Sequence, residues 1–243
     1  MRSPRPLTVL IAAAVGASAA ACSAIPTAPS PLPSDWIPSA TPDPIDPLLL
    51  DSPLGFDLSE ESAVRIRTST CENLGNGTGF VLDSTTIVTN RHVVEDFQWI
   101  EVNGPDGSDI AVESVSTSQV ADIAIIVTVE PLTAVVSFGD EDPAPGDYVK
   151  IVGYPLGDEL TTSTGTIISS EEDLLDNADH VFLTSASADH GSSGSAAYDR
   201  EGHVFGVLYA GNEETKQGII IPLSIVEKAL DDLTPLAAVT TCS

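Results

Sequence analysis

Short segments of alternating apolar and polar residues recur along most of the chain. "AVRIRTS" (63–69) interleaves Val64 and Ile66 with Arg65 and Arg67, the period of two expected of a strand with one covered face. "GFVLD" (79–83), "TIVT" (86–89), "WIEV" (99–102), "DIAVESV" (109–115) and "DIAIIVTV" (122–129) follow. After "DEDPAPGD" (140–147) come "YVKIVG" (148–153), "TTSTGTIIS" (161–169), "HVFLT" (180–184), "AAYD" (196–199), "HVFGVLYA" (203–210) and "GIII" (218–221). Gly, Asp and Asn separate them, and many short strands so punctuated predict an all-β barrel or sandwich fold. The Pro-rich break at 140–147 divides the strands into two sets of about six. One segment departs. In "PLSIVEKALDDL" (222–233), Ile225, Ala229 and Leu233 fall four apart behind a proline suited to a helix start, which predicts a short C-terminal helix.

The first 50 residues lack this pattern. Arg2 and Arg5, an apolar run from Leu7 to Val15 and a small-residue stretch make residues 1–21 an export leader, too short for a spanning helix with normal flanks. Cys22 follows Ala19-Ala20-Ala21, an arrangement that resembles a bacterial lipoprotein box, with Ala19 where a larger aliphatic residue is usual. Lipidation at Cys22 and plain secretory cleavage are the two readings. Residues 22–50 are proline-rich and suit an extended stalk rather than a core. The folded part is then residues 51–243, long enough to bury a core as one domain or two small lobes.

Charge narrows the partners. The chain has 9 basic and 36 acidic residues and a formal net charge of −27, and loss of Arg2 and Arg5 with the leader makes it more negative still. Such a surface repels phosphate backbones and excludes nucleic acid as a partner. With Cys22 set aside, Cys71 and Cys242 form an even pair in an exported chain, expected to be joined, the other reading being two free thiols.

Three fragments carry chemistry. "TNRHVVED" (89–96) places His92 just after a strand, "ADIAIIV" (121–127) places Asp122 at the head of an apolar strand, and "HGSSGSAAY" (190–198) places Ser193 before a strand. A serine hydroxyl needs an imidazole to take its proton and a carboxylate to orient that imidazole. It also needs backbone N–H groups facing the developing oxyanion. Ser193, rather than Ser192 or Ser195, has glycine both two residues before it (Gly191) and one after (Gly194). Asp109 rivals Asp122 but follows a polar turn, whereas Asp122 precedes a continuous apolar run. No zinc or EF-hand spacing is present, and the chemistry requires no metal or organic cofactor.

Taken in order, "TNRHVV", "DIAIIV", "GYPLG" (153–157), "GSSGSA" and "GHVFGVLYAG" (202–211) resemble the trypsin-like serine proteases of the chymotrypsin fold. The likeness spans about residues 60–232 and is nearest the bacterial extracytoplasmic branch, including HtrA-type proteases without their PDZ module. It implies two six-stranded antiparallel β-barrels, about 60–138 and 146–222, with the catalytic cleft between them. It implies a polypeptide substrate, a His92–Asp122–Ser193 triad and an oxyanion hole from the N–H groups of Gly191 and Ser193. Ala188, Asp189, Tyr209 and Ala210 would shape the substrate pocket, and Asp189 facing that pocket would suit a basic side chain. The Cys71–Cys242 pair is similar to that of the actinobacterial membrane-anchored acid-resistance proteases. Ser192 stands where the family commonly has Asp or Asn, so activation by a freshly cut N-terminus is not expected. Leu208 stands where glutamyl-specific relatives carry histidine. The expectation is an exported, membrane-anchored serine endopeptidase, and the alternative is a silent peptide-binding lipoprotein of the same fold.

Overall fold

The computed structural model describes residues 55–172, 178–212 and 214–240. The expected leader, the Cys22 lipidation site, the stalk and Cys242 lie outside them. The first strand set comprises β1 (Ala63–Ser69), β2 (Leu74–Asp83), β3 (Thr86–Thr89), β4 (Trp99–Asn103), β5 (Asp109–Ile110), β6 (Val112–Ser118) and β7 (Ala124–Thr128). The second comprises β8 (Tyr148–Gly153), β9 (Thr161–Glu172), β10 (His180–Ser187), β11 (Ala196–Tyr198), β12 (Val204–Gly211) and β13 (Gln217–Pro222), and closes into a barrel in the order β10-β13-β12-β11-β8-β9. The first set forms a curled sheet that stays open, in the order β14-β6-β7-β3-β2-β1-β4-β5, where β14 is Leu233–Leu236.

The residue pattern explains why two sheets share one interface. On β1 to β3, Val64, Ile66, Val81 and Ile87 point into the first sheet's own core. Their neighbours of opposite parity, Ala63, Phe80 and Val88, join a central layer with Val152, Tyr198, Val207, Tyr209 and Ile221 of the second. Val149, Ile151, Phe182, Leu208 and Ile220 fill the closed barrel. Strands such as "VFGVLYA" are therefore covered on both faces, which is why they read as near-continuous apolar runs.

Three details of the expectation change. The N-terminal strand set, expected as a six-stranded barrel, is an open eight-stranded sheet, because one predicted strand divides and β14 adds to its edge. The predicted strand 109–115 is two strands, because the chain leaves β4 for β7 at Ala111, whose carbonyl accepts the Val129 N–H at 2.9 Å. The C-terminal helix (Leu223–Leu230) stops three residues short of Leu233. Leu233 instead opens β14, which pairs with the otherwise unpaired edge of β6 from Leu233–Ser118 to Leu236–Val115. Consecutive Asp231 and Asp232 at a helix C-terminus oppose the helix dipole, and Pro235 cannot continue a helix.

Asp57 ties the start of the described chain to the second barrel. It caps the one-turn helix α1 (Leu58–Glu61) in a reciprocal box with Glu60, and Lys150 of β8 lies 2.5 Å from its carboxylate. Burial raises the Asp57 pKa, but hydrogen bonds from Lys150, Ser59 and the Glu60 N–H, with the Lys150 charge, outweigh it and leave the group below 3.8. A depressed carboxylate stabilises the fold above its unfolded value and loses that contribution as pH falls through its folded value. Asp57→Asn is therefore expected to lower the melting temperature at neutral pH, with a gap to wild type that narrows as pH drops below about 3.8. Melting curves of both proteins across this range test it, and a gap independent of pH would count against the assignment.

Candidate active site

His92 sits in the single helical turn α2 (Arg91–Val94) after β3. Val93 and Val94 are buried in the first sheet's core and pin the turn, leaving the imidazole exposed at the interface. Fully buried Asn90, just before it, donates from Nδ2 to the Asp122 carbonyl at 2.8 Å. Asp122 is 3 % exposed and lies ahead of β7. Its Oδ1 accepts the His92 backbone N–H at 2.9 Å, and its Oδ2 lies 2.5 Å from His92 Nδ1. An ionised carboxylate only accepts, so Nδ1 carries the proton and Nε2 presents a lone pair to the cleft. Asp109 lies elsewhere, exposed on β5 and accepting from Asn103 Nδ2 at 2.8 Å.

Ser193 lies on the loop between β10 and β11. The N–H groups of Ser192, Gly194 and Ser195 are taken by the carbonyls of Asp189, Leu208 and Ser192. Among the described residues, the N–H groups of Gly191 and Ser193 have no backbone acceptor. Gly191 (φ 86°) and Gly194 (φ 89°) occupy the left-handed region, and the space is as restrictive as the dihedral. A Cβ on Gly194 would fall 2.0 Å from the Thr78 carbonyl oxygen, and one on Gly191 would fall 2.7 Å from that of Tyr154. Ser193 Oγ donates a long 3.4 Å bond to the Tyr209 carbonyl. Of the three serines, Ser193 alone is partly exposed, Ser192 and Ser195 being buried.

Thr78 of β2 holds this loop from the first sheet, a role the sequence reading missed. Its N–H donates to the Ser193 carbonyl and its Oγ1 to the Gly191 carbonyl, both at 2.8 Å, while Oγ1 also accepts the Tyr154 N–H at 3.0 Å. The Thr78 carbonyl in turn accepts from Thr89 Oγ1 at 2.7 Å, next to the helical turn that carries His92. The available signal was the spacing of glycines in "GNGTGF". Gly77 and Gly79 leave no room for a Cβ against Val93 and Ile87, so β2 can approach the His92 turn closely.

His92 and Ser193 line one cleft of ≈ 230 Å³ with Ala188, Asp189, His190, Tyr209, Ala210, Gly211 and Lys216. The four residues expected to shape the substrate pocket are all on its wall, and Asp122 stands behind His92. Asp189 does not offer a free carboxylate, however, since Lys216 Nζ lies 2.5 Å from its Oδ1. Tyr154 of the adjacent "GYPLG" turn stays a neutral phenol, its pKa pushed up to about 12 by burial. Cys71 is disulfide-bonded.

Residues 77–207 match the profile of the trypsin-like peptidase domain. The chain is 28% identical over 196 residues to serine protease Rv3671c of Mycobacterium tuberculosis, covering 76% of this chain and 48% of that protein. It is 32% identical over 143 residues to the mitochondrial serine protease HTRA2 of Bos taurus, covering 55% and 31%. The chain thus spans less than half the length of either relative. The crystal structure of the Rv3671c protease in its active form superposes with a TM-score of 0.66 at 26% identity, covering 80% of this chain and 89% of that one.

Proposed function

The chain belongs to the trypsin-like peptidase domain family, and on that footing we propose that it is a serine endopeptidase using Ser193, His92 and Asp122. Ser193 Oγ turns from the Tyr209 carbonyl to His92, gives its proton to Nε2 and attacks the substrate carbonyl carbon. The oxyanion so formed faces the N–H groups of Gly191 and Ser193. Collapse of the tetrahedral intermediate breaks the C–N bond, and His92 passes its proton to the leaving amine. Water, deprotonated by His92, then cleaves the acyl-enzyme and regenerates Ser193. Asp122 keeps the ring in the tautomer this cycle needs and stabilises the imidazolium.

The observation that carries this reading is the two-point grip of buried Asp122 on the backbone and ring of His92, on the same cleft as Ser193. The decisive experiment is labelling of the full chain with a fluorophosphonate probe, beside cleavage of an unfolded protein. Labelling and cleavage support an activated serine. Their joint absence in the oxidised protein would favour the silent peptide-binding module.

The reading includes export, with anchoring through lipid on Cys22, and a disulfide joining Cys71 to Cys242. Position supports the pairing. The Val239 N–H donates to the Phe97 carbonyl, and the next N–H, of Gln98, donates to that of Ser69, two residues from Cys71. A bridge closing 171 residues contributes roughly 5 kcal/mol in the chain-entropy model. Reducing agent is expected to lower the melting temperature by several degrees, and an unchanged curve would sink the pairing.

A further inference from the structure

The cleft wall beside Ser193 carries one acid and one lysine, and they satisfy each other. Asp189 precedes the nucleophile by four residues, and Lys216 belongs to the turn between β12 and β13. That turn is built to hold the lysine there. The Asn212 N–H donates to the Gln217 carbonyl at 2.9 Å, and Asn212 Oδ1 accepts the N–H groups of Glu214 and Thr215 at 3.0 Å. Lys216 has a φ of 61°, uncommon for a side chain of this type. Its N–H donates to the Asn212 carbonyl at 2.7 Å, and its carbonyl accepts the Ala188 N–H at 2.9 Å. The backbone thus docks the turn on the segment before the nucleophile, and Lys216 Nζ completes the closure on Asp189 Oδ1.

Composition makes this placement informative. Acidic residues outnumber basic ones four to one, and Lys216 is one of three lysines in the chain. An unpaired Asp189 would have been the ordinary outcome and would have attracted a basic substrate side chain. Apart from His92 and Ser193, the rest of the wall is small at Ala188, Ala210 and Gly211 and is completed by Tyr209 and His190, so Asp189 is its one carboxylate. A Cβ on Gly211 would fall 2.9 Å from the Ala188 carbonyl oxygen, so the two walls are already close.

We propose that Lys216 is a specificity-determining residue that cancels the Asp189 charge, so that the cleft accepts an uncharged side chain on the residue before the cut. This rests on the peptidase reading above. Because both side chains are partly exposed, at 54% and 36%, the pair adds little to folding stability, and either member is replaceable.

The test separates pocket charge from catalysis. In the full chain carrying Ser193→Ala, dissociation constants are measured for product-like peptides that differ in one terminal residue, Leu, Arg or Glu. The parent binds the Leu peptide most tightly. Lys216→Met tightens the Arg peptide by about fivefold, and Asp189→Asn tightens the Glu peptide by a similar factor. Opposite shifts in the two variants support the proposal, since a merely structural tie would weaken every peptide alike. An Arg-to-Glu ratio unchanged in both variants, or no binding of any peptide, overturns it. Failure of the wild-type chain to take a fluorophosphonate label overturns the peptidase reading instead, whichever way the peptides bind.

Discussion

Replacing Ser193 with alanine is expected to lower kcat for peptide hydrolysis by about 10⁶-fold while leaving the fold intact. The change removes the attacking oxygen and nothing that His92 could substitute for. Its structural cost is small. Ser193 is partly exposed, and its hydroxyl makes one long bond to the Tyr209 carbonyl, worth at most about 1 kcal/mol. The loop is held by backbone bonds from Thr78 and to Leu208, which alanine leaves in place. Steady-state kinetics beside a melting curve give the answer. Loss of rate with an unchanged melting temperature identifies the nucleophile. Retained hydrolysis in the alanine variant would assign the activity to another group.

Asp122→Asn is expected to cost about 10⁴-fold in kcat with little change in KM. Asparagine fits the site, and its carbonyl can still accept the His92 backbone N–H now held by Oδ1. Its amide group, however, faces Nδ1 where Oδ2 stood at 2.5 Å. An amide donor there forces the imidazole proton onto Nε2, the atom that must accept from Ser193. The geometry survives and the chemistry does not. Asp109→Asn is the matched control. Asp109 is exposed and bonded to Asn103, so its loss should leave the rate within about twofold. A variant at position 122 with near wild-type kcat, or a large loss at position 109, would reverse the assignment.

Both expectations could be framed before any fold was known, because the reasons for them are local. Glycine at −2 and +1 picks out Ser193, since Gly191 and Gly194 combine a left-handed backbone that favours glycine with surroundings that leave no room for a Cβ. The apolar run after Asp122 announces a buried strand, and β7 is buried at Ala124, Ile126 and Thr128. The same locality explains the errors. The period of four that joined Leu233 to Ile225 and Ala229 is real, but it competes with an edge of β6 whose nearest residue, Ser118, lies more than 100 positions away in the chain. Helix propensity over eight to twelve residues is a weak preference, and tertiary pairing overrode it.

The amino-acid sequence by itself determined the strand segments, their division into two sets, and the chemical types brought to the cleft. Alternation with a period of two and glycine's conformational freedom are properties of neighbouring residues, and they act in any context. The tertiary structure alone decided that one sheet closes while the other stays open and recruits β14. It alone decided that Thr78 clamps the Ser193 loop across 113 residues, and that Lys216 captures Asp189 across 27. These contacts form between segments with no shared periodicity. They depend on the register in which distant strands pair, and that register is set by burial of both faces at once.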